Sequence, residues 1–273
     1  NTPAQDRAVR RAVGAEDFAL IHGPPGTGKT YTLATLVDAL VERGERVLLS
    51  AFTNRAVDNA VEALLDQGVE DVVRMGTETG VREDLAHVRL DPAGDPDERA
   101  AALTDAPVVA ATTATCGSRI MREQDFDVAV IDEAGQLTEP GALAAVARAD
   151  RFVLVGDHQQ LPPVVQAGPT PGGDDAGASA GDDDAGAGAG DGDANALSTS
   201  LFERLIDAHP DASVLLDRQY RMAQRIQAFS SQEFYDGALR PASGSVAAQG
   251  LADLGVDEGA LPPALRDPVA FVD

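Results

Sequence analysis

Residues 23–30 read Gly23-Pro24-Pro25-Gly26-Thr27-Gly28-Lys29-Thr30, and everything else in the chain is read outward from them. A glycine, four residues and then Gly-Lys-Thr is the spacing of a loop whose backbone N–H groups cradle a polyphosphate. The apolar run Phe18-Ala19-Leu20-Ile21 before it reads as a buried strand. Leu33, Leu36, Val37, Leu40 and Val41 after it share one face of a helix. Strand, loop and helix N-terminus together aim N–H groups and the positive end of a helix dipole at the phosphates. Gly23, Gly26, Thr27 and Gly28 form the cradle, Lys29 reaches the β- and γ-phosphates, and the Thr30 hydroxyl ligates Mg²⁺. A plain Gly/Pro turn would not require Lys-Thr at its end. Lys29 is also the only lysine of the chain, every other cation being arginine. That is expected where a compact ammonium on a flexible stem is needed.

Further along, Val128-Ala129-Val130-Ile131 is an apolar strand that delivers Asp132 and Glu133 at its C-terminal end. Adjacent carboxylates there suit nucleotide hydrolysis: Asp132 holds Mg²⁺, usually through water, and Glu133 orients and deprotonates the attacking water. Without the upstream loop the pair would read as a solvated turn. Phe152-Val153-Leu154-Val155 is another buried strand, ending in Gly156-Asp157-His158-Gln159-Gln160-Leu161-Pro162-Pro163. A glutamine at this tip can sense the γ-phosphate. His158 has no Cys, His or carboxylate partner at ligand spacing, which argues against a metal there, and no zinc pattern occurs.

The remaining elements follow from local signals. Thr2-Pro3 predicts an N-cap and first helical position, with Gln5 by default a solvated helix residue. Gly44 marks a helix end, and Val47–Ser50 is a strand running into Phe52-Thr53-Asn54. A helix through Leu65 follows, capped by Thr53 or Asn54. Both can offer donors to a phosphate, and capping alone is the other reading. Val72–Met75 and Pro107–Thr113 read as strands, and residues 66–105 otherwise as a small helical excursion or irregular connection. Ser198-Thr199-Ser200 opens a capped amphipathic helix, Val214–Leu216 is a strand, and Ile226 and Phe229 lie in a helix. Residues 240–273 carry no clear signal.

The chain has 273 residues and a net charge of −24, with a single cysteine, Cys116. One cysteine excludes an internal disulfide framework and a four-cysteine cluster within the segment. Many aspartates, almost no lysine and abundant Ala and Gly point to adaptation to high salt, where charge repulsion is screened. Residues 167–196, with seven aspartates from Asp174 to Asp193 and no cation, predict a disordered acidic insertion. No apolar run of membrane-spanning length and no signal-like N-terminus occurs, so a soluble cytoplasmic protein without a membrane partner is expected. A start at Asn1 and a stop within Phe271-Val272-Asp273 suggest a piece of a longer protein.

In order, Asn1–Gln5, Gly23–Thr30, Ser50–Asp58, Thr112, Ile131–Gln136, Gly156–Pro163 and Gln219–Met222 resemble the motifs of superfamily 1B helicases. The resemblance is to the group that contains the nonsense-mediated-decay RNA helicase, the immunoglobulin-mu-binding helicase and the Okazaki-fragment nuclease–helicase. It covers roughly residues 1–237, and Gly-Asp-His-x-Gln-Leu-Pro-Pro and Gln-Tyr-Arg-Met are its most specific parts. It implies an α/β fold: a RecA-like P-loop NTPase domain over 1–218, interrupted by the acidic insertion, and the start of a second RecA-like domain over 219–273. ATP would bind in the cleft between them. By the same resemblance Gln5 reads the adenine edge, Tyr220 stacks on the base, Gln160 contacts the γ-phosphate and Arg221 is an arginine finger. Thr53, Asn54 and Thr112 would hold phosphates of single-stranded DNA or RNA. The later motifs and the strand-gripping domain have no counterpart in the segment, which predicts weak turnover by it alone and partners in the remaining domains of the parent. The function expected is an ATP-hydrolysing, 5′-to-3′ translocase that moves on single-stranded DNA or RNA and separates duplexes. The alternative is a nucleotide-gated nucleic-acid-binding or scaffold module in a larger parent protein of DNA repair or RNA surveillance.

Overall fold

A computed structural model describes residues 1–91, 93–163, 199–250, 253 and 255. The acidic insertion expected at 167–196 lies outside the described residues, as does most of the chain after Gly250. Seven strands form one parallel sheet in the order β3-β4-β2-β5-β6-β1-β7. They are β1 (Phe18–His22), β2 (Val47–Ala51), β3 (Val72–Arg74), β4 (Val108–Thr112), β5 (Phe126–Asp132), β6 (Ala149–Gly156) and β7 (Ser213–Leu215).

Parallel strands covered on both faces need apolar side chains on both, and these runs supply them. Successive residues point to opposite sides. Ile21, Leu49, Val130 and Val155 join one core with helices α1 (Pro3–Val13), α2 (Lys29–Glu42) and α3 (Asn54–Asp66). Leu20, Leu48, Ile131 and Leu154 join the other core. Around that second core lie α4 (Pro96–Asp105), the single turns α5 (Thr113–Cys116) and α6 (Arg119–Arg122), α7 (Glu139–Val146) and α8 (Leu201–Ala208). Leu33, Leu36, Val37 and Leu40 of α2 are completely buried, each contributing about 1.5–3 kcal/mol by its removal from water. The expected face of α2 is therefore the one that packs.

The helix ends follow the sequence signals. Thr2 and Gln5 form a reciprocal capping box on α1, with Pro3 in the first turn. Gly44, at φ +79°, lies just past α2, where the N–H groups of Gly44 and Glu45 bond to Val41 and Leu40. Of the two readings of region 66–105, the helical excursion is the one the structure has. The region forms β3, a 3-10 turn over Glu83–Val88 and α4, which Asp95 caps through the N–H groups of Asp97 and Glu98. Met75 falls outside β3. The stretch from 240 also has structure: Arg240–Pro241 (β9) pairs in parallel with Arg218–Gln219 (β8) as a separate two-stranded sheet. Between them lies α9 (Gln224–Phe234), and a short α10 (Gly244–Ala247) follows. No helix among the described residues is long and apolar enough to cross a membrane.

Candidate active site

All seven strands run the same way, so their C-terminal ends share one edge, where α/β sheets place ligands. At that edge His22 is level with Gly156, and Asp132 with Ala51, which is in turn level with Thr112. The phosphate loop, the acidic pair and the glutamine tip therefore lie on three adjacent strands, β1, β5 and β6.

The loop itself is held tightly. Gly23 N–H bonds to Gly156 O at 2.9 Å, and the Thr27 hydroxyl donates to Pro24 O at 2.7 Å. Lys29 Nζ donates to Gly23 O at 2.8 Å, so its ammonium folds back over the loop. A Cβ on Gly23 would come within 2.2 Å of Lys29 Cγ, and one on Gly28 within 2.9 Å of Gln5 Nε2. Gly28 precedes α2 at φ +79°, and no side chain caps that helix. The N–H groups of its first turn thus remain open to an anion.

Asp132 is 4% exposed. Burial and the neighbouring Glu133 charge push its carboxyl up to about 6, against the Glu133 N–H bond and the charge of Lys29. A like charge next to a buried carboxylate disfavours its ionised form, a penalty that a bound cation would offset. Asp132, a buried carboxylate at the sheet edge, is an oxygen donor of the kind Mg²⁺ takes. Glu133 has a left-handed backbone, φ 51°. The turn it opens packs against the β6 tip: a Cβ on Gly135 would approach Asp157 O at 2.6 Å, and one on Gly156 would approach Gly135 N at 2.8 Å.

Beside the loop, Asn1, Gln5, Gly26, Gly28, Tyr31, Tyr220 and Arg221 line a cleft of about 700 Å³. Gln5 departs from the solvated default. It is 4% exposed, its Oε1 accepts from Thr2 N–H at 2.7 Å, and its Nε2 donates to Thr27 O at 3.4 Å. Tyr220 N–H bonds to Gly26 O at 2.8 Å. The completely buried Gln219 builds the turn that presents Tyr220 and Arg221: its Oε1 accepts from the Arg221 and Met222 N–H groups at 2.9 and 2.7 Å, and its Nε2 donates to Met222 O at 2.6 Å. Tyr220 and Arg221 are themselves exposed. A Cβ on Gly26 would meet Arg221 Cβ at 2.7 Å, which keeps the two segments close.

Residues expected to touch a strand lie on the far side of β5. Thr53 caps α3 through Ala56 N–H, and Thr112 caps α5 through Thr115 N–H. Asn54 is not the cap; its Oδ1 accepts from Arg74 Nη2 at 2.9 Å. Arg74 is wholly buried and pairs with Asp58 at 2.8 Å. Phe52, 56% exposed, stands next to Thr53 and Asn54 at the same tip.

His158 does have neighbours of ligand type, contrary to its reading from local spacing. His22, Asp157 and His158 each offer an atom within 4.8 Å of the others. His22 arrives from the end of β1, far away in sequence. Sequence reasoning also missed Tyr235, whose hydroxyl donates to Asp157 at 2.8 Å.

A parallel sheet with a phosphate loop after β1 and an acidic pair at the end of β5 is the architecture of a RecA-like P-loop domain. Residues 2–167 match the family model of an AAA domain, in the overlapping pieces 2–97 and 93–167, and residues 197–272 match a second AAA-domain model. The first match exceeds half of the chain, which belongs to this family, the AAA domains of superfamily 1 helicases. Over 245 residues (89% of this chain, 17% of that protein) it is 36% identical to the DNA replication ATP-dependent helicase/nuclease JHS1 of Arabidopsis thaliana. Over 251 residues (90% and 15%) it is 33% identical to DNA replication ATP-dependent helicase/nuclease DNA2 of Saccharomyces cerevisiae. To DNA polymerase alpha-associated DNA helicase A of Schizosaccharomyces pombe it is 29% identical over 289 residues, 88% of this chain and 40% of that one. The chain thus spans less than half the length of each of these relatives.

Proposed function

We propose that this chain is the ATP-hydrolysing part of a motor that moves 5′-to-3′ along single-stranded DNA or RNA and separates duplexes. The observation that carries the reading is the convergence of Lys29, Asp132 and Glu133 at one sheet edge, next to the tip that carries Gln160. Gly23, Gly26, Thr27 and Gly28 enclose the phosphates, and Lys29 neutralises their charge. Thr30 and Asp132 hold Mg²⁺, which when bound offsets charge on the β- and γ-phosphate oxygens. Glu133 orients the attacking water and takes its proton. Gln5 and Tyr220 bind the base, Gln160 contacts the terminal phosphate, and Arg221 stabilises charge developing there.

Thr53, Asn54 and Thr112 hold strand phosphates without reading sequence, and the exposed ring of Phe52 offers a stacking face to an unpaired base. Because these contacts are polar rather than cationic and the chain is acidic, strand binding is weak and releases few counterions, so salt weakens it little. Residues 1–218 form the first motor domain and the segment from 219 begins the second. Closure of the two around ATP and reopening after hydrolysis alternate the grip on the strand.

ATP hydrolysis measured with and without a single-stranded oligonucleotide tests the reading. Stimulation by the strand is expected, with Glu133→Gln slowing hydrolysis about 100-fold or more while nucleotide still binds. Tight nucleotide binding with no stimulation would favour a nucleotide-gated scaffold instead.

A further inference from the structure

Asp157, at the end of β6, is 3% exposed and is approached from three separate parts of the chain. Its Oδ1 accepts from His22 Nε2 at 3.0 Å and from Gln159 N–H at 3.1 Å. Its Oδ2 accepts from Gln160 Nε2 and from the Tyr235 hydroxyl, both at 2.8 Å. Burial pushes the Asp157 carboxyl up, but the hydrogen bonds from His22, Gln160 and Tyr235 together outweigh it and hold the group down at about 2. Asp157 is therefore an ionised, acceptor-only group at neutral pH, so the His22 ring must carry its proton on Nε2. Burial and the contact with Asp157 raise the phenol of Tyr235 well above its usual range, which keeps it a donor.

The shared oxygen has a mechanical consequence. Gln160 Nε2 carries two hydrogens; one is committed to Asp157 Oδ2, and the other remains for an outside acceptor. Tyr235 fixes that same oxygen from the far end of α9, the helix that follows Tyr220 and Arg221 in sequence. His22 fixes the other oxygen from the residue directly before Gly23.

We propose that Tyr235 and Asp157 are positioning residues that hold the Gln160 amide for the terminal phosphate and tie it to α9. The proposal deepens the function above and rests on Gln160 being the group that recognises that phosphate. A nucleotide with a γ-phosphate draws on the free N–H of Gln160, and the Asp157–Tyr235 bond passes that restraint to the segment carrying Tyr220 and Arg221. ADP has no phosphate to engage Gln160 and leaves the link unloaded.

The test compares binding of Mg·ADP and the Mg·β,γ-imido analogue of ATP to the whole 273-residue chain. Wild type is expected to prefer the analogue. Tyr235→Phe keeps the ring and removes only the hydroxyl; it should lose about three- to tenfold of that preference while ADP affinity stays within about twofold. Gln160→Ala should lose a similar factor, and the double variant no more than either single one, because one linkage is cut twice. Full preference in Tyr235→Phe alongside a loss in Gln160→Ala would overturn the proposal, as would additive losses. A parallel fall in both affinities and in melting temperature would overturn it too, reducing Tyr235 to packing. A wild type with no preference for the analogue, or a Gln160→Ala protein that keeps the full wild-type preference, would remove its foundation. Lys29→Ala that binds both nucleotides as wild type does would instead sink the nucleotide-site reading itself.

Discussion

Glu133 and Asp157 end neighbouring strands, and their surroundings give two carboxylates different work. Glu133 takes a left-handed backbone, a conformation that side chains other than glycine adopt at some cost and that is common at functional turns. Asp157 is instead fully engaged in hydrogen bonds. Its carboxyl sits at about 2 in the folded protein, against about 3.9 in an unfolded chain. A lowered value contributes stability that is complete above the unfolded value and disappears as pH falls through the folded one. The contribution is on the order of 2 kcal/mol. Asp157→Asn should therefore be less stable than wild type in urea at pH 7, and the gap should shrink as pH drops from 4 towards 2. A gap independent of pH would contradict this assignment. Lys29, Asp132 and Gln160 stand out in the sequence because each lies in its own short run, where the proposed chemistry fixes the local spacing. His22 and Tyr235 do not, since they meet Asp157 across 135 and 78 residues.

At the scale of elements, the strands that build the site were legible as apolar runs because a sheet covered on both faces leaves no polar alternation to confuse them. The turns between them were harder. Gly135 and Gly156 matter because two loops touch backbone to backbone there, a contact that only the assembled sheet creates. The region from 66 to 105 was only partly legible, as a helical excursion or an irregular connection, for a related reason. Its order depends on Arg74, which β3 carries into the interior to meet Asp58 and Asn54 and to donate to the Met75 carbonyl. A buried arginine is not visible as core in a hydrophobic pattern. Arg74→Ala would strand Asp58 without its cation, at a cost of about 3–5 kcal/mol. Chemical denaturation should show that loss, and single-strand binding should weaken as Asn54 is released. An unchanged unfolding midpoint would mean that the pair holds nothing in place.

Over the whole molecule, one parallel sheet separates two tasks along a single edge. The proposed nucleotide chemistry gathers on β1, β6 and β5, and the proposed strand contacts on β2 and β4, with β5 and β2 hydrogen-bonded neighbours between them. Motif order made the family legible, but the sequence alone could not show that Asp132 and Thr112 flank the same β2 residue. The net charge of −24 acts on the entire fold through self-repulsion. Salt at 1 M cuts the screening length to about 3 Å, so the melting temperature should rise between 0.1 M and 1 M KCl, and a fall would show that attractive surface pairs dominate. The most direct test of the central claim is the affinity of Mg·ATP for wild type and for Lys29→Ala, measured by calorimetry. If the single lysine, the glycine loop and the acidic pair form one nucleotide site, the substitution weakens binding by about tenfold or more and leaves the fold intact. Equal affinity in the two proteins would contradict the account.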